Sequence, residues 1–120
     1  MADRLLTDLF GTGTTQTATE LRISKTGLAS LLSAAGYNFT PTSDNTVDEL
    51  VAAIACAGLT VLTSQEREVD PITRNVEFSY DPNINFDSPT LEGQTFNRHT
   101  IEVVFYKPIA TPKLNPSDLA

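Results

Sequence analysis

Thr46-Val-Asp-Glu49 constrains the fold most, because its Thr-x-x-Glu spacing allows two reciprocal hydrogen bonds at a helix start. The Thr46 hydroxyl can accept from the backbone N–H of Glu49, and the Glu49 carboxylate can reach back to the N–H of Thr46. Leu50, Val51, Ala53, Ile54 and Ala57 continue at helical spacing. This predicts a helix over 47–57, with Gly58 as a left-handed stop. A second helix is expected at 27–35, where Leu28, Leu31, Leu32 and Ala35 share one stripe and Gly36 follows the end.

The later part of the chain alternates with a period of two. Val76, Phe78 and Tyr80, with Ile72 before them, face one way, and Thr73, Asn75, Glu77 and Ser79 face the other. Over 97–107, His99, Ile101, Val103 and Phe105 lie on one side and Thr100, Glu102, Val104 and Tyr106 on the other. Strands are therefore expected at 72–80 and 97–107, with a third at 17–25, where Thr19, Leu21 and Ile23 alternate with Glu20, Arg22 and Ser24. Leu59–Thr63 reads equally as a strand or as the end of the preceding helix. Early helices and late strands give a small α+β domain over 17–107 with an antiparallel sheet.

The ends differ from this middle. Residues 1–16 read as an apolar plug, with Leu5, Leu6, Leu9 and Phe10 on one side of a short helical turn, followed by a small-residue tether, Gly11–Gln16. Residues 108–120 carry Pro108, Pro112 and Pro116, a spacing that favours an extended arm over a helix or a ladder. Ordering such ends costs about 1–2 kcal/mol of backbone entropy per residue, which a neighbour in an assembly can offset.

Chemistry-bearing motifs are scarce. A net charge of −7 argues against neutralising nucleic-acid phosphates or an anionic membrane. One Cys and one His leave no disulfide framework and no closed zinc site. Asp81, Asn83, Asn85, Asp87 and Glu92 match the ligand spacing of a calcium loop. However, Phe86 stands where a glycine is needed, and Pro82 and Pro89 interrupt the segment. Cys56, between Ala55 and Ala57, reads as a small core hydrophobe, and His99 as a pairing residue on its strand. Asn38-Phe-Thr40 is a glycosylation sequon in form only, with Pro41 following and no secretion signal before it. The run 50–62 is too short to span a bilayer. No catalytic residue, cofactor, metal or small-molecule substrate is assigned.

A Gly11–Gln16 tether, a compact acidic middle and a Pro108–Pro116 arm resemble the small accessory structural proteins of tailed bacteriophages, such as capsid cement or decoration proteins and neck or tail components. The resemblance is one of layout. It implies a non-enzymatic subunit of a virion, made in the host cytoplasm, whose partners are other virion structural proteins. Such a subunit is a homo-oligomer or is bound to a lattice, and it acts by apolar burial and arm or strand exchange. Expected contact residues are Leu5, Leu6, Leu9 and Phe10 at the front, Val104 and Tyr106 on the last strand, and Ile109 and Leu114 in the arm. The alternative is a small bacterial adaptor, cytoplasmic, that binds a protein or peptide along a sheet edge. An enzyme built on scattered carboxylates is a third and weaker reading.

Overall fold

The computed structural model describes residues 5–70, 74–81, 90–91, 94–95, 98–106 and 115–119. In chain order its elements are α1 (Leu6–Phe10), β1 (Thr15–Gln16), β2 (Leu21–Arg22), α2 (Lys25–Ala34), α3 (Val47–Val61) and α4 (Ser64–Val69). They continue with β3 (Val76–Tyr80), β4 (Thr90–Leu91), β5 (Gln94–Thr95), β6 (Ile101–Phe105) and a 3-10 turn at Pro116–Leu119. The α+β class holds. The strands form three separate two-stranded antiparallel ladders, β1–β2, β3–β6 and β4–β5, in place of one sheet.

The core lies between α2 and α3. Leu28 and Leu32 pack against Ala53 and Ala57, all four buried, with Leu9, Ile23, Leu31, Phe39 and Cys56 around them. Local chemistry sets the ends of α2. The Ser24 hydroxyl accepts from Gly27 N–H (3.1 Å) at its start. At its end Gly36, at φ 90°, closes a Schellman motif: Gly36 N–H donates to Ser33 O (3.1 Å) and Tyr37 N–H to Leu32 O (2.8 Å). The 37–45 loop is tied down by its own polar residues. Asn45 Oδ1 accepts from Thr42 N–H (2.8 Å), Asn45 Nδ2 donates to Thr40 O (3.1 Å), and Lys25 Nζ donates to Thr42 O (2.9 Å).

At the start of α3 the capping box forms as expected. Thr46 Oγ1 accepts from Glu49 N–H (3.1 Å), and Glu49 Oε1 accepts from Thr46 N–H (3.1 Å). That backbone bond, with a second from the Asn45 side-chain amide (3.1 Å), holds the Glu49 carboxyl below its usual pKa of 4.5. A carboxyl lowered in the folded state adds stability above its unfolded pKa, and this is lost as pH falls through the folded value. Stability is therefore expected to drop below about pH 4.5, and Glu49→Gln should drop less. Urea midpoints across the acid range check this, and equal acid sensitivity in the two proteins would contradict it.

Four further sequence expectations change. The strand at 17–25 shrinks to Leu21–Arg22, paired with Gln16 and Thr15. The Thr17 hydroxyl accepts from the N–H groups of Thr19 and Glu20 and turns the chain there, while Ser24 is taken by the α2 cap. Gly58 does not stop α3, which runs on to Val61. The Phe78 ring occupies the place where a Cβ at 58 would stand, so this glycine serves a close approach. Leu59–Val61 is thus helix, and the charged stretch after it begins with α4, capped by Thr63 Oγ1 accepting from Glu66 N–H (3.1 Å). Third, the Gly11–Gln16 segment packs against α2 at its start and supplies strand β1 at its end. Gly11 is buried at φ 85°, and a Cβ on Gly11 or Gly27 would collide with the other strand of backbone, at the Gly27 or Thr12 carbonyl respectively. Fourth, within the proline-spaced arm Pro116 opens a 3-10 turn, a first-turn position where a missing N–H costs nothing.

Candidate interaction surface

The β3–β6 ribbon gives the molecule two unlike faces. Its register pairs Val76 with Phe105, Phe78 with Val103 and Tyr80 with Ile101, so the two apolar sides read from the sequence share one face. Glu77, Ser79, Glu102 and Val104 occupy the other. Helix α4 serves this second face. The Arg67 guanidinium lies 3.6 Å from the centre of the Tyr106 ring, and Tyr106 Oη donates to Glu77 Oε2 (3.3 Å). Arg74, largely covered, forms an ion pair with Glu66 and donates to the Glu66 carbonyl (2.9 Å).

Cover on the apolar face is uneven among the described residues: Val76, Phe78 and Ile101 are half-buried, while Tyr80 at the end of β3 is 41% exposed. On β3, Phe78 sits on Gly58 of α3, and its N–H donates to Leu62 O (2.6 Å), which binds the ribbon to the helix end. On β6, Val103 and Phe105 remain 37% and 44% exposed. Along the outer side of α3, Val47, Val51 and Ile54 are also exposed, at the i, i+4, i+7 spacing of one helical stripe that reaches Gly58 one turn later. The open half of β6 and this stripe flank the same Gly58–Phe78 contact.

The expected contact residues separate under this geometry. Leu9 packs on the chain's own core, Leu6 and Phe10 are half-buried, and Leu5 is exposed. Val104 and Tyr106 lie half-buried on the α4 side of the ribbon, and Ile109 and Leu114 fall outside the described residues. Sequence reasoning passed over Val103 and Phe105 as contacts, and Val47, Val51 and Ile54 with them. A helix apolar on nearly all sides is the signal that could have found the last three.

His99 is exposed and pairs with Tyr80, Nδ1 to Oη at 2.7 Å. Asp81 N–H donates to Thr100 O (3.0 Å), while Asn83, Asn85, Asp87 and Glu92 of the calcium-like spacing lie outside the described residues. Among the described residues no three His, Cys, Asp or Glu side chains converge, and no helix is long and apolar enough to cross a membrane. Cys56 lines a groove of about 350 Å³ with Leu32, Tyr37, Phe39 and Ala53. Burial pushes its thiol pKa up. It is therefore expected to react several-fold more slowly than a free thiol with an aromatic disulfide at mildly alkaline pH, read by absorbance. A rate equal to that of the free thiol would contradict this.

Comparison with protein families, characterised proteins and solved structures finds no match for this chain.

Proposed function

We propose that this chain is a non-enzymatic structural subunit of a tailed-phage virion, a capsid cement or decoration protein or a neck or tail component. It joins other copies of itself or other virion proteins by burying apolar surface and adding a strand. One observation carries the assembly part of the reading: β6 presents exposed Val103 and Phe105 beside an edge that no described residue pairs with. Natural sheets blunt such edges with charge, proline or covering elements, and β6 carries only Glu102. The virion part rests on the layout resemblance. The same edge also suits the adaptor reading, and the two separate by location.

Peptides of this chain are expected in purified, DNA-filled particles of the phage that encodes it, at a copy number in fixed ratio to a major structural protein. Quantitative mass spectrometry of particles and lysate reads this. A chain abundant in the lysate and missing from the particles would overturn the virion reading in favour of the adaptor.

A further inference from the structure

The ladder geometry settles which backbone groups of β6 face outward. In an antiparallel pair, residues that exchange both hydrogen bonds with the partner alternate with residues that point away. Tyr106 N–H donates to Asn75 O (2.8 Å) and Asp81 N–H to Thr100 O (3.0 Å). In the same register, Val104 faces Glu77 and Glu102 faces Ser79 in the bonded phase. The N–H and C=O groups of Ile101, Val103 and Phe105 therefore point away from β3. The outward phase of β3 is met by Leu62, through Phe78 N–H. Among the described residues nothing meets the outward phase of β6.

We propose that this edge pairs antiparallel with β6 of a second copy of the chain, about a two-fold axis through Val103. The inference rests on the assembly reading and names its partner and register. An outward-facing residue must stand opposite another outward-facing residue, and Val103 is the middle of a five-residue strand whose first, third and fifth residues all face out. A two-fold at Val103 puts Ile101 opposite Phe105 of the second copy and Val103 opposite its own equivalent, so every β6 residue is paired. Charge selects the same register. Glu102, the only charged residue of β6, falls opposite Val104 of the second copy. Slipping one way sets Glu102 against Glu102, which is unfavourable, and slipping the other way leaves fewer residues paired. The product is a four-stranded sheet in the order β3–β6–β6–β3, isologous and closed. Its apolar face runs on across both copies from Phe78 and Gly58.

Each copy carries −7, so association is opposed by mutual repulsion and is strengthened by salt. A basic partner on this edge would be released by salt instead.

Sedimentation of the full chain is expected to show a monomer–dimer equilibrium in the micromolar range that tightens from low to half-molar salt. Val103→Lys, which sets two ammonium groups at the two-fold, is expected to give a monomer with unchanged far-UV circular dichroism. Val69→Lys, at another exposed apolar site on α4, should leave the dimer intact. Should Val103→Lys unfold, cysteine pairing reads the register. In a Cys56→Ala background, Val103→Cys is expected to cross-link about tenfold faster than Glu102→Cys, because the two residues 103 stand directly opposite at disulfide range, whereas residue 102 stands opposite 104 of the second copy. A monomer at all concentrations and salts would overturn the inference and leave the particle test of the assembly reading standing. A dimer that survives Val103→Lys, or one in which Glu102→Cys links faster, would overturn it too.

Discussion

Gly27→Ala is expected to lower the unfolding free energy by about 1–3 kcal/mol, although it replaces a glycine inside a helix. Helix propensity alone favours alanine by about 0.8–1.0 kcal/mol. The opposing effect is a collision between main chains. A Cβ at Gly27 would overlap the Thr12 carbonyl, and the reciprocal Cβ at Gly11 would overlap the Gly27 carbonyl. Thr12 has little room to retreat. On one side α1 is fixed by Leu9 in the core, and Gly11, at φ 85°, closes that helix by donating to Thr7 O (3.0 Å). The check is urea unfolding, with a lowered midpoint at unchanged slope. A midpoint raised by the size of the propensity gain would contradict the crossing of the 11–16 segment over α2.

Gly58→Ala tests the other junction, between the helix pair and the ribbon. Here too propensity favours alanine, and a close approach opposes it. The Phe78 ring fills the Cβ position, and Phe78 cannot slide along α3 while its N–H is bonded to Leu62 O (2.6 Å). A loss of about 1–3 kcal/mol is expected from overpacking. In a Phe78→Ala background the obstacle is gone, and the same substitution is expected to be neutral or to stabilise by up to about 1 kcal/mol. The double-mutant cycle is the measurement. Additive effects would contradict direct contact between residues 58 and 78.

Where a backbone bond is satisfied within a few residues, the sequence was legible. The Thr46–Glu49 box and the Gly36 terminus depend on neighbours three to five positions away, and both form as read. Alternation at 76–80 and 101–105 also survives, because both strands lay their apolar side on one face and the register keeps those sides together. What failed depends on distant partners. Gly58 and Gly36 look alike in sequence, yet one packs under Phe78 and the other turns the chain. Gly11 and Gly13 read as slack, yet Gly11 is buried and permits close packing against Gly27. Alternation at 19–24 buries little, with Leu21 54% exposed, so nothing holds a long strand there. Helix α4 was readable: Thr63-Ser-Gln-Glu66 repeats the capping spacing of Thr46–Glu49, and only half of that box forms among the described bonds.

The interaction surface was half legible for the same reason. Val104 and Tyr106 are the contacts expected on the last strand, but Arg67 and Glu77 occupy the Tyr106 side. The open side belongs to Val103 and Phe105, and only the position of α3 and α4 around the ribbon shows which is which.

Hydrogen exchange at single amides of β6, followed as a function of protein concentration, tests the central claim most directly. Val104 and Glu102 bond within the chain, so their amides should be protected at every concentration. The amides of Ile101, Val103 and Phe105 face outward, and they should exchange freely in dilute protein and become protected as concentration and salt rise. Free exchange at these three positions in concentrated protein at high salt would contradict the account.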